Sequence, residues 1–260
     1  MRTTLRGWRA LVTGASSGIG TALAERLAAA GVDLRLTGRS REALAEVASR
    51  TGGQVLAVDL AAPDAAVAVA EWSGPVDLLV CNAGQGWAGR TTDMPAGEAR
   101  RLLDVNVAGH LELVRLLLPP MLDRRRGRVV LVSSIAGLLG VAEESVYAGT
   151  KASLHVFGES LRYELEGSGV GVTTVFPGAV DTPFFDRRGS PYARRFPRPV
   201  SVDDVAQAVV RGIERGRDDV FVPSWLVVPA RLHGAAPGLV RVLQGRFGRP
   251  PPPGGRRSEP

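Results

Sequence analysis

The sequence predicts a single-domain α/β protein, in which a doubly wound sheet of seven parallel strands carries helices on both faces. Short runs rich in Val, Leu and Ile alternate with longer stretches rich in Ala and Leu at helical spacing, as in repeated βαβ units. The 260 residues, 45% of them hydrophobic, suffice for one large core and are few for two. Because crossover connections are right-handed, helices are expected on both faces, and ligands at the carboxyl ends of the strands.

The candidate strands are short segments of mostly apolar residues, as expected for strands that are buried on both faces. They are residues 9–14, 32–38, 54–60, 76–81, 128–134, 170–178 and 219–224. The candidate helices are longer and have apolar residues at helical spacing. They are residues 20–31, 41–50, 97–122, 147–167 and 201–216.

Three regions interrupt or follow this alternation. Residues 182–200, TPFFDRRGSPYARRFPRPV, are too rich in Gly, Pro and Arg for a regular element and too long for an ordinary connection, which favours a lid loop. Residues 225–247 form an extension with apolar residues beside arginines, which Pro229 and Pro237 are expected to divide into short pieces. Residues 248–260 have almost nothing to bury and are predicted to be a disordered tail.

The composition argues against several functional classes. Cys81 is the single cysteine, and no cluster of Cys and His has metal-ligand spacing, so neither a disulfide nor a metal site is predicted. No run of about 18 apolar residues occurs, and the chain begins directly with a strand, which predicts a cytoplasmic protein. The net charge of +6 is spread over different elements, which argues against nucleic acid as a partner.

A glycine-rich turn follows the first strand. VTGASSGIG, residues 12–20, has glycines at 14, 18 and 20, and it joins a strand to a helix. Such a turn lets the backbone approach a pyrophosphate and directs helix N–H groups at it. By itself this pattern is a weak indication of a nucleotide site.

Six motifs in one order carry a family resemblance. The chain has TGASSGIG (13–20), CNAG (81–84), Asn106, Ser134, Tyr147 with Lys151, and PGAVDT (177–182). Over residues 8–224 it therefore resembles the classical short-chain dehydrogenase/reductase family. The resemblance implies a Rossmann-type fold, a dinucleotide-binding catalytic domain over 1–224, and an NADP(H)-dependent oxidoreductase that interconverts a ketone or aldehyde and an alcohol. The alternatives are an NAD-dependent alcohol dehydrogenase of the same fold and a non-catalytic regulatory protein that senses NADP.

The resemblance also implies the catalytic group. Tyr147 and Lys151 lie four residues apart on one helix face, and Ser134 ends the fifth strand, where ligands are expected. Tyr147 would be the general acid or base, Lys151 would hold the nicotinamide ribose, and Ser134 would position the substrate oxygen. Asn106 would help to hold a water that links the lysine to solvent. Because the ordinary pKa of tyrosine is about 10, we expect the charges of Lys151 and the oxidised nicotinamide to lower it.

The cofactor preference depends on the end of the second strand. A carboxylate there would hold the ribose of NAD, whereas Arg39, after Gly38, would accommodate the 2′-phosphate of NADP. NADP(H) is therefore the preferred cofactor and NAD(H) the alternative, since Ser17 lacks the basic side chain that many NADP-using relatives carry. The residues expected to contact the cofactor are Gly14, Ser16, Ser17, Gly18, Ile19, Gly20, Arg39, Asp59, Leu60, Asn82, Ala83, Gly84, Tyr147, Lys151, Pro177, Gly178, Val180 and Thr182.

The surroundings of this site suggest a substrate class and partners. Phenylalanines and arginines mix in residues 182–200, so the lid would cover a hydrophobic carbonyl substrate or, alternatively, attract an acidic one. The extension 225–247 would pack on its own domain or a partner subunit, with peripheral membrane contact as the alternative. The helices at 97–122 and 147–167 resemble those through which relatives associate, which predicts a homodimer or homotetramer.

Overall fold

The computed structural model describes residues 3–192 and 197–238. Within them, seven parallel strands form one sheet in the order β3-β2-β1-β4-β5-β6-β7, which confirms the predicted fold class. The strands are β1 (Arg9–Thr13), β2 (Asp33–Gly38), β3 (Gln54–Ala57), β4 (Leu78–Cys81), β5 (Gly127–Val132), β6 (Val170–Pro177) and β7 (Asp219–Val222). The predicted tail, 248–260, and positions 239–247 of the extension lie outside the described residues.

The strand order reverses next to β1. This strand pairs with β2 on one side, where Val12 is opposite Leu36, and with β4 on the other, where Val12 is opposite Val80. A reversal of this kind opens a crevice beyond the carboxyl ends of the strands. The fold therefore places a binding site where the glycine-rich turn leaves β1.

Helices cover both faces of the sheet. They are α1 (Gly18–Ala29), α2 (Arg41–Thr51), α3 (Ala65–Ser73), α4 (Glu98–Leu103), α5 (Gly109–Asp123), α6 (Ala136–Leu139), α7 (Ser145–Glu164), α8 (Phe184–Arg187), α9 (Val202–Glu214) and α10 (Val227–Ala235). Leucines and valines of α1, α2 and α9 fill the core on one face, and those of α3, α5 and α7 fill the core on the other. The strands between the two cores are apolar because both of their faces are buried.

The structure corrects several predicted elements. The predicted helix 97–122 consists of α4, a π-helical turn (Asp104–Ala108) and α5. Helix α3 was not predicted, and the lid region 182–200 contains the short helix α8, where no regular element was expected. The other predicted segments have the expected type, and their ends differ by no more than three residues.

The extension is also more regular than predicted. A 3₁₀ turn (Ser224–Leu226) leads into α10, and Pro229 lies inside that helix instead of interrupting it. Pro229 is the third residue of the helix, where the backbone N–H has no partner within the helix. In the described ranges 3–192 and 197–238, no helix is long and apolar enough to cross a bilayer.

Candidate active site

A cavity of about 690 Å³ lies at the carboxyl edge of the sheet. This volume is in the range of small-molecule binding sites. The glycine-rich turn, the segment after β4, the predicted catalytic residues, the lid and α10 all contribute to its wall. Every site residue predicted from the sequence lines this cavity except Gly20 and Asn106, which lie behind the wall.

The glycine-rich turn has the shape of a cradle that side chains would fill. Gly14 has a φ of +67°, and a Cβ there would lie 2.8 Å from the Cα of Ala83. A Cβ on Gly20 would lie 2.1 Å from the carbonyl oxygen of Gly14. These two glycines therefore let the turn pack closely on itself and on the segment after β4, and the packed turn lies at the start of α1, where helix N–H groups suit a dinucleotide pyrophosphate.

Thr13 joins this turn to the segment that follows β4. Its hydroxyl accepts hydrogen bonds from the backbone N–H groups of Asn82 (2.9 Å) and Ala83 (3.0 Å). The Asn82 side-chain amide donates in return to the carbonyl oxygen of Thr13 over 2.9 Å. These bonds fix the two loops against each other, so Asn82 acts on the site through the shape of the turn.

Ser134, Tyr147 and Lys151 meet in the middle of the cavity wall. Tyr147 and Lys151 are buried, with 9% and 4% of their surfaces exposed. The Lys151 Nζ lies 5.9 Å from the centre of the Tyr147 ring and donates a 2.8 Å hydrogen bond to the carbonyl oxygen of Val132. The Ser134 side chain lines the same cavity and lies close enough to the Tyr147 hydroxyl to affect its pKa, while its Oγ accepts a 3.1 Å hydrogen bond from the Ala136 N–H. The three residues therefore line one cavity, and their catalytic roles stay a prediction.

Burial has the largest effect on the pKa values of Tyr147 and Lys151. It raises the pKa of Tyr147 above the ordinary value, while the Ser134 side chain acts in the opposite direction. The expected lowering of this pKa is therefore wrong for the protein by itself, because loss of hydration outweighs the nearby positive charges. Burial also lowers the pKa of Lys151 to about 8. The contribution expected from the nicotinamide charge stays a prediction.

Asn106 supports the site from inside the protein. It lies in the π-helical turn, and its side chain accepts from the Gln85 N–H (2.8 Å) and donates to the Gln85 carbonyl (2.9 Å) and the Thr150 hydroxyl (3.0 Å). Thr150 in turn donates to the carbonyl oxygen of Tyr147 over 2.7 Å. Gln85 and Thr150 were not predicted from the sequence, since nothing in their spacing indicates these long-range contacts. The water-holding role of Asn106 stays a prediction.

The carboxyl ends of β2 and β3 form the other end of the cavity, with Arg39 and Asp59. Burial acts to raise the pKa of Asp59, but hydrogen bonds from Arg101 (2.8 Å) and from the Ala61 N–H (3.1 Å) outweigh it and hold the pKa below its usual value. The side chain of Asp59, which was expected to contact the cofactor, therefore already has protein partners. Arg187, which was not predicted as a cofactor residue, donates a 3.0 Å hydrogen bond to the Ser17 hydroxyl.

The lid packs directly over Tyr147. The ring centres of Phe184 and Tyr147 are 5.3 Å apart, and Arg188 forms an ion pair with Glu144. The lid positions 193–196, with Arg194, Arg195 and Phe196, lie outside the described residues. On the far side, α10 lines the cavity with Leu232 and other apolar residues. The described part of the extension therefore packs on its own domain, as the first of the two alternatives proposed.

Two buried residues beside the site have structural explanations. Burial raises the pKa of the Cys81 thiol, and this side chain packs in the core beneath the sheet. Burial also lowers the pKa of His110 to about 3, and its ring nitrogens contact the Thr13 hydroxyl and the Asn106 carbonyl. In the part of the chain that the structure describes, no group of three or more His, Cys, Asp or Glu residues could hold a metal ion.

Comparison with known proteins agrees with this fold and site. A family model described as short chain dehydrogenase matches residues 9–192. A protein described as an uncharacterized oxidoreductase of Myxococcus xanthus is 37% identical over 239 residues, which cover 88% of this chain and 92% of that protein. Fold and site together define an oxidoreductase with a doubly wound sheet. The chain belongs to the short chain dehydrogenase family.

Solved structures of similar proteins contain two different cofactors. A short-chain dehydrogenase from Sphingobium yanoikuyae in complex with NADPH matches with a TM-score of 0.79 and 30% identity, covering 90% of this chain and 95% of that one. A short chain dehydrogenase/reductase from Burkholderia phymatum in complex with NAD matches with a TM-score of 0.80 and 26% identity, covering 96% and 99%.

Proposed function

We propose that this oxidoreductase interconverts a ketone or aldehyde and an alcohol with NADP(H), and that Tyr147 is its general acid and base. The observation that carries the proposal is the meeting of Ser134, Tyr147 and Lys151 in the cavity that the glycine-rich turn also lines. Site residues that could bind a nucleotide, donate a proton and hold an oxygen are thus on one wall. The domain division at residue 224 is part of this proposal, with α10 as an added wall.

The protein groups have separate tasks in the proposed reaction. The nicotinamide, when bound, supplies or accepts the hydride. In the reducing direction Tyr147 gives its proton to the carbonyl oxygen, and its raised pKa keeps it protonated at neutral pH. Ser134 donates a hydrogen bond to the same oxygen and positions it. Lys151 holds the nicotinamide ribose with its ammonium donors and stabilises negative charge on Tyr147.

The choice of NADP(H) over NAD(H) rests on charge. Arg39 lies exposed at the carboxyl end of β2 and lines the cavity, and Gly38 stands where a carboxylate would repel a phosphate. The NADPH-bound relative from S. yanoikuyae supports this choice, whereas the NAD-bound relative from B. phymatum makes NAD(H) the second candidate.

A hydrophobic substrate fits the cavity better than an acidic one. Much of the cavity wall is apolar, and its apolar residues include Leu139, Val141, Phe184, Phe185, Trp225, Leu226 and Leu232. The two lid arginines in the described residues already have partners, because Arg188 pairs with Glu144 and Arg187 binds Ser17. An acidic substrate at Arg188 would have to break its ion pair with Glu144.

Replacing Tyr147 by Phe tests the proposal. We expect Tyr147→Phe to lower turnover about 10²–10⁴-fold, because the proton donor is lost while the ring packing is kept. NADPH consumption is measured against a panel of hydrophobic and charged carbonyl compounds, with NADH in parallel. NADPH binding by fluorescence titration is the control and should change less than about twofold. Retained turnover in the variant would contradict the role of Tyr147, and faster turnover of charged carbonyls would contradict the substrate class.

A further inference from the structure

The lid helix α8 reaches across the cavity to the glycine-rich turn. From the last residue of α8, Arg187 donates from Nη2 to the Ser17 Oγ over 3.0 Å, a contact between residues 170 positions apart. The first residue of the same helix, Phe184, packs on Tyr147. One rigid turn of helix therefore joins the two ends of the cavity.

Ser17 follows β1, two strands from β5 in the sheet order, and it lies on the β2 side of the cavity. The glycine-rich turn follows β1 and adjoins β2, since a Cβ on Gly38 would lie 2.8 Å from the Ser16 Oγ. Ser134 follows β5, three strands from β2 in the sheet order. At the usual strand spacing this separation is about 14 Å. A guanidinium at Ser17 is thus placed beside Arg39 and away from the carbonyl that reacts.

Arg187 and Arg39 form a pair of like charges at this end. Both line the cavity, and partial burial, followed by the charge of Arg39, lowers the pKa of Arg187. The hydrogen bonds of the Arg187 guanidinium are to the Ser17 hydroxyl and the Pro183 carbonyl, and within the described ranges no carboxylate oxygen lies within 4 Å of it. Two neighbouring guanidiniums repel each other unless an anion lies between them. Their planar donors match phosphate oxygens.

We propose that Arg187 is a second ligand of the cofactor 2′-phosphate, opposite Arg39, so that NADP(H) holds the lid onto the glycine-rich turn and NAD(H) does not. This inference rests on the proposed use of NADP(H). It explains how a turn with Ser17 in place of a basic residue still presents two positive charges to the phosphate. It also makes closure of Phe184 over Tyr147 depend on the phosphate at the opposite end of the cofactor.

Binding measurements separate this role from a structural one. Isothermal titration with NADP⁺ and NAD⁺ is carried out on the full-length protein and on Arg187→Ala, Arg187→Lys and Arg39→Ala. We expect Arg187→Ala to weaken the affinity for NADP⁺ about tenfold, as for one lost charge-assisted hydrogen bond, and to change the affinity for NAD⁺ less than about twofold. Arg187→Lys should recover part of the loss, because lysine keeps the charge without the planar donors. Arg115→Ala, which removes an exposed arginine outside the cavity, is the control for net charge and should bind both cofactors as the original does.

Proteolysis of the lid provides a readout that does not require turnover. Chymotrypsin cleaves after aromatic residues such as Phe184 and Phe185, and mass spectrometry identifies the cut. We expect NADP⁺ to slow this cleavage at least about fivefold relative to NAD⁺ at equal saturation, because the phosphate closes the lid. In Arg187→Ala the two cofactors should protect the lid equally.

The outcomes distinguish this inference from the proposed cofactor preference. If Arg39→Ala selectively weakens the binding of NADP⁺ but Arg187→Ala does not, Arg187 is not a phosphate ligand. The inference then fails, while the proposed preference for NADP(H) stands. Equal weakening of NADP⁺ and NAD⁺ by Arg187→Ala would also overturn it, since the residue would then act on the fold. If the original protein binds NAD⁺ more tightly than NADP⁺, both the preference for NADP(H) and the inference fail.

Discussion

Lys151 shows how packing tunes a single side chain. It is the one lysine among 260 residues, whereas every other basic side chain apart from histidine is arginine. Burial lowers its pKa from 10.5 to about 8, so the ammonium predominates at neutral pH but not in mildly alkaline solution. An arginine would stay charged throughout, but its planar guanidinium is larger and arranges its donors differently. A compact ammonium suits the narrow space beneath a ribose.

The pH dependence of cofactor use follows from this pKa. Below pH 8 Lys151 is an ammonium that can hold the ribose and stabilise charge on Tyr147, and above pH 8 it becomes a neutral amine. We therefore expect kcat/KM for NADPH to fall as the pH rises through about 8, since this parameter reports the ionisation of the free enzyme. Because the chain has one lysine, NMR with labelled lysine gives a single side-chain signal. A midpoint near 10.5 for that signal would contradict the effect of burial.

The sequence predicts which residues meet at the site better than it predicts their states. Ser134, Tyr147 and Lys151 were predicted together because their motifs resemble those of a known family, and the structure places Ser134 just after β5 and the other two residues on α7. The raised pKa of Tyr147 depends instead on burial by Phe184 and the surrounding wall, which no local pattern encodes. The hydrogen bond from Arg187 to Ser17 likewise joins segments that are far apart in the sequence, so no local pattern predicts it.

At the scale of elements, the lid is joined to the catalytic helix by an ion pair. The side chains of Arg188 and Glu144 are 8% and 15% exposed, and Glu144 directly precedes α7. Arg188 also lies over the ring of Phe185, with its Cζ 4.6 Å from the ring centre. A buried pair of this kind holds two elements in one arrangement, because separating them would leave charges without water or a partner.

Removing one member of this pair is expected to be costly. Glu144→Ala leaves Arg188 buried without its carboxylate, which should lower the free energy of unfolding by about 3 kcal/mol. Urea denaturation followed by circular dichroism measures the change. The matched control is Glu112→Ala, which breaks an exposed pair with Arg115 whose members are 39% and 65% exposed and should cost less than about 1 kcal/mol. Equal losses in the two variants would show that the Arg188 pair contributes no more than a surface pair.

Regular elements that depend on their neighbours were the ones missed from the sequence. Helix α3 is short and made mainly of Ala and Val, so its pattern does not distinguish a helix from a strand. The π-helical turn at Asn106 departs from a continuous helix because the Asn106 side chain binds the segment after β4. In contrast, the strands were predicted well, since burial on both faces makes them apolar throughout.

At the scale of the whole molecule, α10 supplies part of the cavity wall. Leu232 on this helix lines the cavity and is 38% exposed, whereas Val228 is 64% exposed and does not line it. The helix packs on α6, which follows β5 and Ser134 in the chain. One face of the described extension therefore lines the cavity, and the other is open to solvent in the single chain.

Two substitutions on α10 test this division. Leu232→Asp places a charge in the apolar wall, so KM for a hydrophobic ketone should rise about tenfold while NADPH binding stays unchanged. Val228→Asp adds the same charge to the outer face and should leave both values as they are. If α10 instead serves mainly to contact a membrane or a partner subunit, Val228→Asp will reduce pelleting with anionic vesicles or the mass seen by light scattering, and Leu232→Asp will not change KM. That result would indicate that the extension contacts a membrane or a partner subunit and does not bind the substrate.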